Sequence, residues 1–208
     1  MRKYFLALCL PFVLLFAALA QAGTIKEYSA DMVDVSSGKT LQKMYVTEQR
    51  IRFDGYGEDG KLEGISIFRI DKGVMYAVQV EGKVYFEIPL DKNVKSIKDF
   101  AETGMMGIKP DIKREKEGSE TVNGYAAEKF KVTTTVELMG QKNVITHHEW
   151  VAPEFDPLPV RAQSEPDGKI TEMRNIKEGA PEDSVFEVPE GYQKGPDMTE
   201  MMKGAQQQ

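Results

Sequence analysis

Along most of the chain apolar and polar residues alternate one for one, and glycine or polar turn signals break the alternation about every eight to twelve residues. That rhythm predicts an antiparallel sheet. The first run of strands is expected near Ile25 to Val35, Thr40 to Thr47, Arg50 to Phe53, Ile65 to Ile70, Val74 to Val80 and Lys83 to Ile88. A second run starts at about Ile112. Its clearest member, "FKVTTTVEL", places Phe130, Val132, Thr134, Val136 and Leu138 on one face and Lys131, Thr133, Thr135 and Glu137 on the other. Strands then follow over Val144 to Val151, Pro159 to Ser164 and Ile170 to Lys177, with "GQKN" and "PDGK" as the hairpin signals between them.

Between the two runs, "DKNVKSIKDFAETGMMG" changes period. Val94, Ile97, Phe100 and Ala101 recur at helical spacing, and Gly104 and Gly107 end the pattern. An amphipathic helix among strands must bury its apolar stripe, and the nearest surface is one face of the sheet. The tail carries a second, shorter helical pattern, with Asp197 as cap and Met198, Met201 and Met202 on one side.

The first 22 residues pair Arg2 and Lys3 with an apolar run from Tyr4 to Ala20 and a small-residue site at Ala20-Gln21-Ala22. This is the pattern of a secretory signal peptide cleaved after Ala22, which implies a periplasmic protein. Pro11 interrupts the run, which argues against a membrane anchor. The chain's one cysteine, Cys9, lies inside the signal and away from the cleavage point, so there is no lipid-anchor cysteine. Residues 23–195 are expected to form a single domain, and 196–208 a flexible or short helical tail. Without a thiol in that domain, disulfides, cysteine-type zinc sites and cysteine nucleophiles are excluded. The whole chain carries 27 basic and 33 acidic residues, a balance that disfavours nucleic acid and anionic lipid as partners.

"THHEWV" holds both histidines and the single tryptophan. Neighbours on a strand point to opposite faces, so His147 shares a face with Glu149 and His148 with Trp150. An even hairpin loop at "GQKN" turns His147 and Glu149 inward; an odd loop or a bulge turns His148 and Trp150 inward. The burial value of tryptophan favours the second arrangement, which makes Trp150 part of the inner lining. A metal site at His147, His148 and Glu149 would still need carboxylate ligands to complete it. The 11 methionines, Met105 and Met106 among them, fit a pliant apolar lining as well as they fit copper. No cofactor is implied. There is no nucleophile elbow, phosphate loop or dinucleotide fingerprint, and no catalytic role is assigned. Arg50 and Arg52 alternate with Ile51 and Phe53; they face water, or Arg52 points into the concavity to meet a loop or a ligand headgroup.

Five phrases in order, "KMYVTEQRIRFDG", "FRIDKGVMYAVQVEGKVYFEIP", "ETVNGYAAEKFKV", "HEWVAPEFDPLPVRAQ" and "DSVFEVPEGYQK", run from Lys43 to Lys194. Through them the sequence resembles the LolA-like superfamily of exported lipoprotein carriers, and within it a branch of small proteins of unknown function. The resemblance implies an unclosed, strongly curved antiparallel β-barrel of about eleven strands, mainly β with few helices, and a helical lid over its concave face. In the carriers the cavity takes acyl chains, and Arg52 is the nearest counterpart of the arginine that gates their lid.

These readings converge on an exported protein that binds a lipid or other hydrophobic ligand between sheet and helix. The expected lining is Phe130, Val132, Val136, Leu138, Trp150, Phe100, Met105 and Met106, with Arg52 at a headgroup. The alternatives are an envelope scaffold whose cavity is filled by side chains and whose partner is a lipoprotein or another envelope protein, and a metal-binding protein.

Overall fold

Cross-strand pairing joins twelve strands into one sheet in a computed structural model that describes residues 26–97, 99–100, 110–138 and 141–197. The strands are β1 (Tyr28–Asp34), β2 (Thr40–Val46), β3 (Arg50–Tyr56), β4 (Leu62–Arg69), β5 (Val74–Gln79), β6 (Val84–Pro89), β7 (Asp111–Val122), β8 (Tyr125–Leu138), β9 (Gln141–Val151), β10 (Arg161–Ser164), β11 (Ile170–Glu178) and β12 (Gln193–Lys194). Their order is β12-β6-β5-β4-β3-β2-β1-β11-β10-β9-β8-β7. Every pairing is antiparallel except β12 on β6. The sheet curves without closing, with β7 and β12 at its two edges. The expected mainly-β, unclosed architecture is therefore the observed one, with one strand more than the eleven read from the sequence: the two-residue β12 is too short to leave an alternation.

Partners across a ladder share a face, so the register sorts the side chains. Met44 pairs with Phe53, Val46 with Ile51, Ile51 with Phe68, Phe68 with Met75 and Met75 with Ile88. Together with Tyr28, Ala30 and Met32 of β1 these residues form the larger core, and the side they occupy is called inner here. Ile65, Ile67 and Val78 alternate with them and build a smaller outer core around Phe186.

The inner core is covered in part by the segment after β6. Asp91 closes a turn by accepting from the amides of Asn93 and Val94. Ser96 then caps a helix onset: its hydroxyl accepts from the Asp99 amide, and the Asp99 carboxylate accepts from the Lys95 amide. Residues 97, 99 and 100 are helical, and Val94, Ile97 and Phe100 are buried against the inner core, with Phe100 edge-on to Phe68 at 4.9 Å. The remainder of the expected lid, Met105 and Met106 included, lies outside the described residues, as do the signal segment 1–22 and the tail from 198 onward. Among the described residues no helix is long and apolar enough to cross a membrane.

Two hairpins set the far side of the sheet. Asn123 and Gly124 join β7 to β8 with φ of 50° and 90°, the left-handed pair that a two-residue hairpin turn needs. Leu138 pairs with Gln141, so the next connection also spans two residues. Gln141, Lys142 and Asn143 of the expected "GQKN" loop therefore belong to strand β9.

Candidate binding face

The inner face runs unbroken from β6 to β7. Met32 pairs with Met173, Val160 donates its amide to Trp150 and accepts from Met173, and Ala162 lies opposite Thr171 and Glu149. From β6 to β1 the face is apolar. Tyr28 sits at its end, fully buried and edge-on to Phe155 at 5.0 Å, and Phe155 in turn meets Tyr125 at 4.8 Å. The Tyr28 hydroxyl makes no hydrogen bond among the described residues, and burial pushes its pKa up.

Beyond β10 the same face turns polar. In the β8–β9 ladder Val132 lies opposite His147 and Phe130 opposite Glu149, while Arg114 of β7 lies opposite Val132. Glu149 has no exposed surface, yet both its oxygens are used. Arg114 donates from Nη2 to Oε2 at 2.7 Å, and His147 Nε2 stands 2.8 Å from Oε1. The Arg114 guanidinium also lies over the Phe130 ring, 4.5 Å from its centroid. A carboxylate with no water around it is tolerable only with such partners. Two buried nitrogens of the cluster, Arg114 Nε and His147 Nδ1, have no hydrogen-bond partner among the described residues.

This register corrects the expected placement of Trp150. Because the β8–β9 turn has two residues, His147 and Glu149 share the inner face with Phe130 and Val132, and Trp150 points outward. Trp150 is nonetheless buried: Lys129 and Arg161 place their cations over its ring at 5.1 and 5.4 Å, and its indole N–H donates to Glu120. It also belongs to the larger core, in one cluster with Val122, Ala127 and Ala152, and the stems of the two basic residues complete its cover. His148, on that same side, has Nε2 at 3.2 Å from Glu117. The two histidines thus turn away from each other, and no group of three His, Cys, Asp or Glu side chains able to hold a metal ion occurs among the described residues.

Arg52 is the second correction. It pairs with Tyr45 and Ile67 on the outer face, where it donates to Asp54 at 2.6 Å and to the Val185 carbonyl at 2.9 Å. The arginine on the inner face is Arg114. Of the other expected lining residues, Phe130, Val132 and Val136 share the inner face of β8, with Val132 fully buried, and Phe100 lies on the inner core. Leu138 ends β8 opposite Gln141, and its side chain lies outside the described residues. Arg114, Glu149 and Tyr28 were not expected at the site. The alternation Ile112, Arg114 in β7 carries a signal for the first, hidden in a strand that is otherwise almost wholly charged.

An open depression of about 540 Å³ lies across β2, β1 and β11, lined by Ser29, Asp31, Lys43, Tyr45, Asn175 and Lys177 together with Ala30, Met44 and Ile176. Of these, Ser29, Asp31, Lys43 and Tyr45 belong to the outer face, whereas Ala30 and Met44 are residues of the larger core.

A family model described as a domain of unknown function, DUF4412, matches residues 28–155. The chain belongs to the DUF4412 family. The matched span of this DUF4412 protein runs from β1 to the turn after β9, and so contains Tyr28, Arg114, His147 and Glu149. No curated protein matches the sequence. Among solved structures, an uncharacterized conserved protein from Thermus thermophilus is similar over 82% of this chain and 90% of its own, with 10% identity and a TM-score of 0.49. A protein from Parabacteroides distasonis, described as "a putative lipoprotein", is similar over 74% of this chain and 96% of its own, with 13% identity and a TM-score of 0.38.

Proposed function

We propose that this protein is an exported, LolA-like binder of a lipid, acyl chain or other hydrophobic ligand, acting without catalysis in the periplasm. The observation that carries the reading is the inner face of β1 to β6, an unbroken apolar surface from Met44 and Phe53 to Met75 and Ile88, onto which Val94, Ile97 and Phe100 are laid. A signal-like segment of 22 residues supports export, and residues 23–195 serve as one binding domain.

Magnitudes favour an exchangeable cover. Burial of three such side chains is worth about 1.5–3 kcal/mol each, so lifting them costs roughly 5–9 kcal/mol. An acyl chain of about sixteen carbons gains on the order of 12 kcal/mol from leaving water. The gain of the ligand therefore exceeds the cost of lifting the cover by a few kcal/mol, enough to load and little enough to release.

Native mass spectrometry of protein purified gently from the periplasm tests the proposal. A bound lipid mass, lost on delipidation and restored by added fatty acid, is the expected result. Protein that is empty and silent to fluorescent fatty-acid probes overturns it. A second reading, an envelope interaction module with a filled interior, is favoured by the fact that the inner core from Tyr28 to Ile88 is already withheld from solvent. It predicts the empty, silent result together with a protein partner.

A further inference from the structure

We propose that the Arg114–Glu149–His147 cluster is a headgroup site that takes a carboxyl group together with one proton, which makes the preferred ligand a fatty acid. This rests on the reading of the inner face as a binding surface and adds the chemistry of its polar end.

The cluster is built and incomplete. Arg114, His147 and Glu149 side chains are 9%, 5% and 0% exposed, so the protein has withdrawn a cation, an imidazole and a carboxylate from water together. Each Glu149 oxygen has one partner, Arg114 Nη2 or His147 Nε2, while Arg114 Nε and His147 Nδ1 have none among the described residues. A buried donor left unpaired costs free energy that a ligand atom recovers on binding. When Nε2–H donates to Glu149, the neutral imidazole offers Nδ1 as an acceptor, and Arg114 Nε–H is a donor. A free donor and a free acceptor, one on each neighbour of Glu149, match a protonated carboxyl group, whose carbonyl accepts from Arg114 and whose O–H donates to His147. Moving that proton onto Nδ1 gives imidazolium and carboxylate with the same proton count, and no bond other than O–H and N–H changes. In either form the site balances charge: the Arg114 cation against Glu149, and the proton against the ligand carboxyl.

Other charges facing His147 are few. On the inner face of β7 and β8, Lys116 pairs with Glu128; Val132, Phe130 and Thr134 of β8 and Ser164 of β10 are uncharged. The apolar stretch needed for the tail begins on the same face through Val160, Met173 and Met32.

The test compares dodecanoic acid with its methyl ester by calorimetry on delipidated full-length protein, in two buffers of different ionisation enthalpy. The wild type is expected to bind the acid at least about tenfold more tightly than the ester, the value of one or two hydrogen bonds to charged groups. It is also expected to take up a proton with the acid and none with the ester. In His147→Gln, whose amide still donates to Glu149 but cannot accept a proton, the preference and the proton uptake should vanish while ester binding persists. Equal wild-type affinity for acid and ester, or acid binding without proton uptake, overturns the headgroup assignment and leaves the apolar face standing. Failure of both ligands to bind overturns the binding face and the headgroup site with it. The buffer comparison needs only the wild type, so it decides the matter even where the variant does not fold.

Discussion

Glu149 is fully buried, and its two carboxyl oxygens are held by one arginine and one histidine from two strands. Removing one member of such a group leaves the others without compensation, and this costs more than the group contributes as a whole. Glu149→Ala is expected to destabilise the fold by about 3–5 kcal/mol, read as a lower urea midpoint at unchanged slope, with Glu149→Gln milder. Glu172 gives a second prediction. Burial pushes its carboxyl up, but hydrogen bonds from Arg161, Arg174 and Asn123 outweigh that and hold its pKa below the ordinary 4.5. A depressed carboxylate stabilises the fold above its unfolded value and loses that contribution as pH falls through the folded one. Stability should therefore decline from about pH 4.5 downward, and Glu172→Gln should flatten the decline in urea titrations at a series of pH values.

At the scale of elements, alternation located almost every strand, because each buries one face and exposes the other. In β9 the preference for an inward Trp150 rested on the burial value of tryptophan, and the even connection, which turns His147 and Glu149 inward, overrides it. Gln141 to Asn143 have turn-like composition but continue the ladder, so the register follows a two-residue connection and places Glu149 and not Trp150 inside. Trp150 is buried all the same, within the larger core and under Lys129 and Arg161, which binary pattern counts as solvent-facing. The helix onset was legible in the helical spacing of Val94, Ile97 and Phe100, and Ser96 and Asp99, which the spacing does not reveal, make the hydrogen bonds that start it. Phe100 is the contact that ties this element to the sheet. Phe100→Ala is expected to cost about 3–5 kcal/mol if the segment stays docked. A smaller cost, accompanied by brighter staining with an apolar dye, would mean that the cover lifts instead.

On the scale of the whole molecule, the sheet is held from both sides. Inside lies the core beneath Phe100; outside, the short turn Asp183–Phe186 is fastened across β3 and β4. Phe186 is fully buried, Arg50 lies 4.7 Å from its ring centroid, Arg52 donates to the Val185 carbonyl, and Arg69 donates to the Phe186 carbonyl and to Glu187. The alternating arginines of "QRIRFDG" thus act as clamps on the outer face, and their target is the turn Asp183–Phe186. Phe186→Ala should cost about 3–5 kcal/mol while leaving the composition of the inner face unchanged, so ligand affinity at temperatures well below the melt should hold. The central claim concerns which face binds. It is tested most directly by photo-crosslinking a diazirine-bearing fatty acid to the delipidated protein and mapping the labelled peptides. Labels concentrated on inner-face residues such as Met44, Phe53, Met75 and Phe100, and competed away by unlabelled fatty acid, are the predicted result. Labels on the outer face, around Lys43, Tyr45 and Lys177, or labelling that no fatty acid competes away, would contradict it.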